Sequence, residues 1–197
     1  MQKVSSGAEA VIYLDKNIVK DRVEKRYRIP EIDRTLRQFR TRRESKILER
    51  LEQIGFPAPR LVKTDRSSVI EMEYLDGPKL RDIMEKSDYI KLAEEIGRKV
   101  AVMHNNDIVH GDLTTSNMMM MEEIFFIDFG LSQFSDKVED KAVDIHLFRQ
   151  ALESKHNTIW EKSFKAFIDS YIKYSNNSKS IMRRLEKIEL RGRNKAK

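Results

Sequence analysis

No cysteine occurs among the 197 residues of this chain, so disulfide frameworks and thiol chemistry are excluded, and an intracellular location fits. Proline is scarce and one-sided: there are four, and none follows Pro78. Met1 to Ala10 holds no apolar signal core, and no uninterrupted apolar stretch approaches a membrane span. A soluble protein is expected, with no repeats and no low-complexity linker. What is present in abundance is charge, with 36% Asp, Glu, Lys and Arg and a net charge of +6. The length allows a sizeable core, burying roughly 70% of the unfolded surface.

One segment says most about chemistry. His110-Gly111-Asp112-Leu113-Thr114-Thr115-Ser116-Asn117 is followed, after two apolar strand-like runs at Met118 to Met121 and Ile124 to Ile127, by Asp128-Phe129-Gly130. Phosphoryl transfer from a nucleotide needs a carboxylate to accept the nucleophile's proton, and an amide oxygen and a second carboxylate to hold metal. His-x-Asp-Leu-x-x-x-x-Asn and then Asp-Phe-Gly supply that set in the order and spacing of a protein-kinase catalytic loop. Either piece alone would be weak, but the two together are a strong signal. They make Asp112 the base and Asn117 and Asp128 the ligands of Mg²⁺.

The remaining parts of such a site should lie upstream, and they are there in thinned form. Ser5-Ser6-Gly7-Ala8-Glu9-Ala10-Val11-Ile12 follows the glycine-loop pattern with only its middle glycine retained. Backbone amides of a tight turn over Ser6, Gly7, Ala8, Glu9 and Ala10 can still cradle phosphate. Ile18-Val19-Lys20 reads as a strand after a turn at Asp15-Lys16-Asn17, which makes Lys20 the phosphate-binding cation and Lys16 the alternative. A long helix is expected from Pro30 to Ile54, ended by Gly55-Phe56-Pro57. On it Glu44 shares a face with Leu48 and Leu51 and is the expected partner of Lys20. The competing assignment for Glu44, a surface ion pair with a nearby arginine, would contribute only about 0.5 kcal/mol.

Gly-Ala-Glu-Ala near the N-terminus, His-Gly-Asp-Leu-Thr-Thr-Ser-Asn, Ile-Asp-Phe-Gly-Leu-Ser and a C-terminal Arg-Gly-Arg together resemble the small atypical kinase subunit of the KEOPS (EKC) complex, the PRPK type, in its archaeal form. The resemblance runs from Gly7 to Arg193. Gly111 with Thr114-Thr115-Ser116 separates it from ordinary protein kinases and from the related RIO kinases. It implies an α+β, protein-kinase-like two-lobed fold with a small β-rich N-lobe and a trimmed helical C-lobe, and ATP and Mg²⁺ as cofactors. It also implies work beside a TsaD-like threonylcarbamoyltransferase and other KEOPS subunits in making the threonylcarbamoyl-adenosine of tRNA, with tRNA a partner in the complex.

The expected organisation is an N-lobe over residues 1–75, a C-lobe over 76–190 and a basic tail over 191–197. Strands are placed from the N-terminus to Lys20, at Arg60 to Lys63 and at Val69 to Glu73. The hinge Glu71 to Gly77 would meet adenine through backbone groups at Glu73 and Leu75, with ATP between the lobes. A helix from Asp88 to Asn105 has Ser87 as its N-cap. His104 reads as a packing histidine. Val143, Leu147 and Ala151 mark one further core helix, and Trp160, Phe164, Phe167 and Tyr171 another.

Charge is concentrated in two places. Arg22 to Arg43 carries nine basic residues against three acidic ones, and Lys179 to Lys197 eight against two, while the rest is acidic. Polyanion contact, RNA above all, is one reading; solvated helix faces are the other. With no proline after Pro78 there is no Ala-Pro-Glu motif, and the segment from Asp128 to Asp144 is too short for a peptide platform. Gly111 stands where an arginine would pair with an activating phosphate, and Thr114 where a lysine would contact the transferred one. The expected activity is therefore slow: an atypical serine/threonine kinase, or an ATPase. The alternatives are a regulatory ATP-binding module without protein phosphorylation and an RNA-binding scaffold.

Overall fold

The computed structural model describes residues 1–7 and 9–193, with Ala8 and Asn194 onward outside the described residues. The chain divides into two compact units, Met1–Asp76 with Ile127–Leu131, and Gly77–Phe126 with Ser132 onward. Among the described residues no helix is long and apolar enough to cross a membrane.

The first unit is built on an antiparallel five-stranded sheet and one long helix. The strands are β1 (Gln2–Ser6), β2 (Val11–Leu14), β3 (Ile18–Asp21), β4 (Leu61–Thr64) and β5 (Val69–Met72), in the order β1-β2-β3-β5-β4. Alternation on β5 turns Ile70 and Met72 into the core, and the register opposes Lys20 to Ile12 on one side and Ile70 on the other. The same periodicity therefore turns a lysine towards an apolar layer, which is tolerable only with partners. Helix α1 (Pro30–Gln53) begins with proline in its first turn, where the missing N–H has no intrahelical acceptor to lose. Its buried stripe, Thr41, Glu44, Ile47, Leu48 and Leu51, follows helical spacing.

In the second unit α2 (Leu80–Ile83) leads to α3 (Tyr89–Asn105). The cap of α3 is Asp88, whose carboxylate accepts the Lys91 N–H at 3.2 Å. The sequence had favoured Ser87, but the Ser87 hydroxyl turns back and donates to the Ile83 carbonyl at 2.9 Å. Then come β6 (Ile108–Val109), the hairpin β7 (Met118–Met120) and β8 (Ile124–Phe126), and β9 (Gln133–Phe134), which pairs with β6. The hairpin is fastened to α3 by side chains: the Ile124 N–H donates to Glu95 at 2.9 Å and the Ile124 carbonyl accepts from Lys99 at 2.6 Å.

Helices α4 (Val138–Lys155), α5 (Trp160–Tyr174) and α6 (Ser178–Arg193) complete this unit. On α4 the buried apolar residues are Ala142, Ile145, Phe148 and Leu152, whereas Val143 is exposed. The expected face Val143-Leu147-Ala151 is thus displaced, because Asp144 had to turn inward. Helix α5 buries Phe167 and Tyr171 against Phe148 and α3. It approaches α3 at Gly97, where a Cβ would stand 2.3 Å from the Phe167 carbonyl oxygen. Helix α6 continues through Leu190 to Arg193, which corrects the expectation that a tail begins at Arg191. The rest of that tail lies outside the described residues.

Candidate active site

In the first unit the centre is a buried lysine with two carboxylates. Lys20 Nζ lies 2.9 Å from Glu44 Oε1 and 2.7 Å from Asp128 Oδ1. Burial works to lower the Lys20 ammonium, but Glu44 and Asp128 outweigh it and lift it above its ordinary value. Lys20 is therefore charged when it meets a ligand. The second oxygen of Glu44 bonds the Arg22 guanidinium, which also donates to the Thr41 hydroxyl at 3.3 Å. Glu44 is only 1% exposed, so the alternative of a surface ion pair is set aside. It faces two buried cations rather than one. Asp128 has a φ of 61°, a left-handed conformation that Asp tolerates better than most residues and that often marks functional turns.

The expected glycine loop is a tight turn between β1 and β2. The Gly7 N–H donates to the Ala10 carbonyl at 2.9 Å, and Ser6 pairs with Val11 beside it. Ala8 lies outside the described residues. The carboxylate of Glu9 is engaged by Arg28 at 3.0 Å and by Arg40. Burial raises Glu9, but these arginines hold it below the usual carboxylate range. What Glu9 can offer a phosphate is accordingly its backbone and not its side chain. Glu73 donates its N–H to the Arg60 carbonyl at 2.9 Å while its carboxylate accepts from the Arg60 side chain, and the Leu75 side chain is buried. Any adenine contact at these two positions falls to the remaining backbone groups.

In the second unit the catalytic-loop candidates are held from below. Leu113 is buried, and so is Thr115, the first residue of a 3₁₀ turn at Thr115–Asn117. Asn117 Nδ2 donates to the Asp112 carbonyl at 2.9 Å and to Asp112 Oδ2 at 2.8 Å. The amide thus orients the candidate base while its own oxygen remains the group it offers a cation. Asp144 accepts the backbone N–H groups of His110 at 2.8 Å and Gly111 at 2.9 Å. Gly111 sits at φ 79°, where a side chain would be strained. His104 Nε2 donates to Asp144 at 3.2 Å and its Nδ1 accepts from the Tyr171 hydroxyl at 2.8 Å, so His104 is a buried packing histidine with both ring nitrogens satisfied, as expected. Burial raises the Asp144 carboxyl, but the His104 and His110 contacts hold it below its ordinary value.

Sequence reasoning paired Lys20 with Glu44, which the structure bonds; it grouped Asn117 with Asp128 as metal ligands and took Asp112 as the base, and did not foresee that Asp128 bonds Lys20 or that Asn117 bonds Asp112. It missed Arg22, counted there among the solvent-facing basic residues. A signal was available: residues two apart in extended chain share a face, so Arg22 follows Lys20 inward. The first basic segment is also less free than its count implies. Arg28 and Arg37 bind Asp33, and Arg40 binds Glu9.

A sheet-and-helix unit with a Lys–Glu–Asp cluster, and a helical unit with an Asp–Asn loop braced from an aspartate, define a protein-kinase-like class. The family model described as a RIO domain matches residues 14–147. Rio2 kinase from Chaetomium thermophilum, solved as an ADP/Mg²⁺-phosphoaspartate complex, has a TM-score of 0.66 at 16% identity, covering 98% of this chain and 70% of that one. The KEOPS complex subunit Bud32 of Pyrococcus abyssi is 42% identical over 98% of this chain and 96% of its own. A probable serine/threonine-protein kinase BUD32 homolog of Archaeoglobus fulgidus is 37% identical over 97% and 95%. A probable bifunctional tRNA threonylcarbamoyladenosine biosynthesis protein of Methanobrevibacter smithii is 39% identical over 96% of this chain, which spans 36% of that longer protein. The chain belongs to the Bud32 family of RIO-type kinases.

Proposed function

We propose that this chain is an atypical serine/threonine kinase and ATPase of a KEOPS complex, supporting threonylcarbamoyl-adenosine modification of tRNA. The observation that carries the reading is the Lys20 ammonium bonded to both Glu44 and Asp128. A buried cation fixed by one carboxylate and shared with a second, more exposed one is a phosphate site with an adjoining metal ligand.

Lys20 binds nucleotide phosphates while Glu44, itself anchored by Arg22, holds it in place, and the backbone amides of Glu9 and Ala10 cover them. Among the described residues no cluster of three or more His, Cys, Asp or Glu could hold a metal. Asp128 in the first unit offers a carboxylate oxygen and Asn117 in the second an amide oxygen, each a donor of the kind Mg²⁺ uses, since it takes few protein oxygens and completes its shell with phosphates and water. When bound, Mg²⁺ neutralises charge on the phosphates. Asp112, oriented by the Asn117 amide, accepts the proton of a serine, threonine or water hydroxyl.

The finer partners follow the same chemistry. A TsaD-like subunit is the proposed neighbour, cytoplasm the proposed location, and tRNA a contact of the assembled complex. Exposed Lys179, Arg183, Lys187 and Arg191 recur every fourth residue along α6, a basic stripe of the kind that follows a phosphate backbone.

The test is turnover of labelled ATP by the full chain, alone and with the TsaD-like subunit, following free phosphate and phosphoprotein separately. Asp112→Ala should lower turnover by about 10²–10⁴, and Asp128→Ala should abolish its Mg²⁺ dependence with the fold retained. Unchanged phosphate release in both folded variants would refute the assignment.

A further inference from the structure

Thr115 and His156 are buried polar residues, 1% exposed each, that the proposed chemistry leaves without a task. They meet: Thr115 Oγ1 lies 3.0 Å from His156 Nε2. On the far side His156 Nδ1 lies 3.1 Å from Glu85 Oε1. A carboxylate only accepts, so Nδ1–H donates to Glu85 and Nε2 is left to accept from the Thr115 hydroxyl. The histidine itself is immobilised through its backbone. Its N–H donates to Leu152 at 2.7 Å at the end of α4, and its carbonyl accepts from Ile159 at 3.0 Å.

The geometry points to His156 as a positioning residue of the catalytic loop, one that sets the 3₁₀ turn Thr115–Asn117 through the Thr115 hydroxyl and thereby aims Asn117. The loop needs such a fastening. Asp144 fastens the loop at His110 and Gly111, but between there and the turn the buried residue is Leu113, which is apolar, and apolar contact fixes depth but not rotation. A directional hydrogen bond at the first residue of the turn fixes rotation. Its effect reaches Asp112 as well, because Asn117 donates to that carboxylate at 2.8 Å. The arrangement matches the outer-shell partners that orient metal ligands, whose loss costs about 10–100-fold in metal affinity or activity. The inference rests on the reading of Asn117 as a ligand of Mg²⁺.

Two amides dissect the histidine. Glutamine places its terminal group near Nε2 and can keep the Thr115 bond; asparagine places its group near Nδ1 and can keep only the Glu85 bond. The measurement is the Mg²⁺ midpoint of the full chain bound to a non-hydrolysable ATP analogue, by calorimetry, beside thermal melts of each variant. H156N and T115V should raise the midpoint about tenfold, whereas H156Q and T115S should stay within about twofold of wild type. Should T115V fail to fold, the H156Q and H156N pair decides alone. Melting loss with an unchanged midpoint in H156N, or equal midpoints for H156Q and H156N, would overturn the inference. N117A separates the two ideas: if it leaves the midpoint unmoved, the ligand assignment of Asn117 fails; if it moves the midpoint and H156N does not, only the positioning role fails.

Discussion

Replacing Glu44 by alanine should unfold the first unit far more readily than replacing the lysine that Glu44 is there to hold. The Glu44 side chain is 1% exposed and its two oxygens serve Lys20 and Arg22, whose side chains are 10% and 2% exposed. Glu44→Ala leaves buried Arg22 without a carboxylate and Lys20 with Asp128 alone, whereas Lys20→Met leaves Glu44 still paired with Arg22. Removing one partner of a buried pair costs about 3–5 kcal/mol, and a chain of this size loses about 2–4 °C of Tm per kcal/mol, so Glu44→Ala should melt about 6–20 °C lower. Lys20→Met removes a charge along with its desolvation cost and should fall less than half as far, while losing nucleotide affinity. Thermal melts by circular dichroism, paired with titration of a fluorescent ATP analogue, read both quantities. If Lys20→Met melts below Glu44→Ala, or Glu44→Ala melts within about 2 °C of wild type, the double-cation argument is wrong.

Two further outcomes follow from the second unit. Asp144 has a folded pKa below its ordinary value, so its stabilisation is present above about pH 4 and is lost as pH falls through the lower folded value. Asp144→Asn should therefore lower stability at neutral pH and flatten the acid limb of the stability profile; an acid limb identical to wild type would contradict this. Gly97→Ala introduces a Cβ 2.3 Å from the Phe167 backbone oxygen, which forces α3 and α5 apart at a cost of about 1–3 kcal/mol. A denaturant midpoint equal to wild type would show that the two helices can part freely there.

Much of this molecule was legible as pattern, and what was not legible has identifiable causes. The long helix, the strands flanking it and the hairpin of Met118–Met120 with Ile124–Phe126 follow from periodicity and from glycine and proline punctuation. The pairing of Lys20 with Glu44 followed because a motif supplied the second half of the argument. Polar residues that turn inward without a motif were missed. Arg22, Lys99, Thr115 and His156 are all buried, yet each is a type that composition assigns to the surface, and each is held by a partner distant in sequence. The exposed Val143 is the same effect reversed. Asp144 is required at the core for the His110 and Gly111 amides, and α4 rotates to deliver it. A tail was expected from Arg191, whereas helix α6 runs on to Arg193.

The left-handed backbone at Gly111 bears on how this protein can change over generations. Ordinary kinases carry arginine at this position of the loop, and that arginine is what makes their activity answer to phosphorylation. Here the position has φ 79° and its N–H is bonded to Asp144. A single substitution to arginine would place a branched-out side chain where glycine is favoured by about 1 kcal/mol or more, before the new side chain could find any phosphate. Acquiring phosphorylation control would require the turn to be rebuilt and a longer segment inserted after Asp128, in the same lineage and without loss of the loop in between. Single substitutions starting from this sequence therefore do not lead to phosphorylation control of the loop.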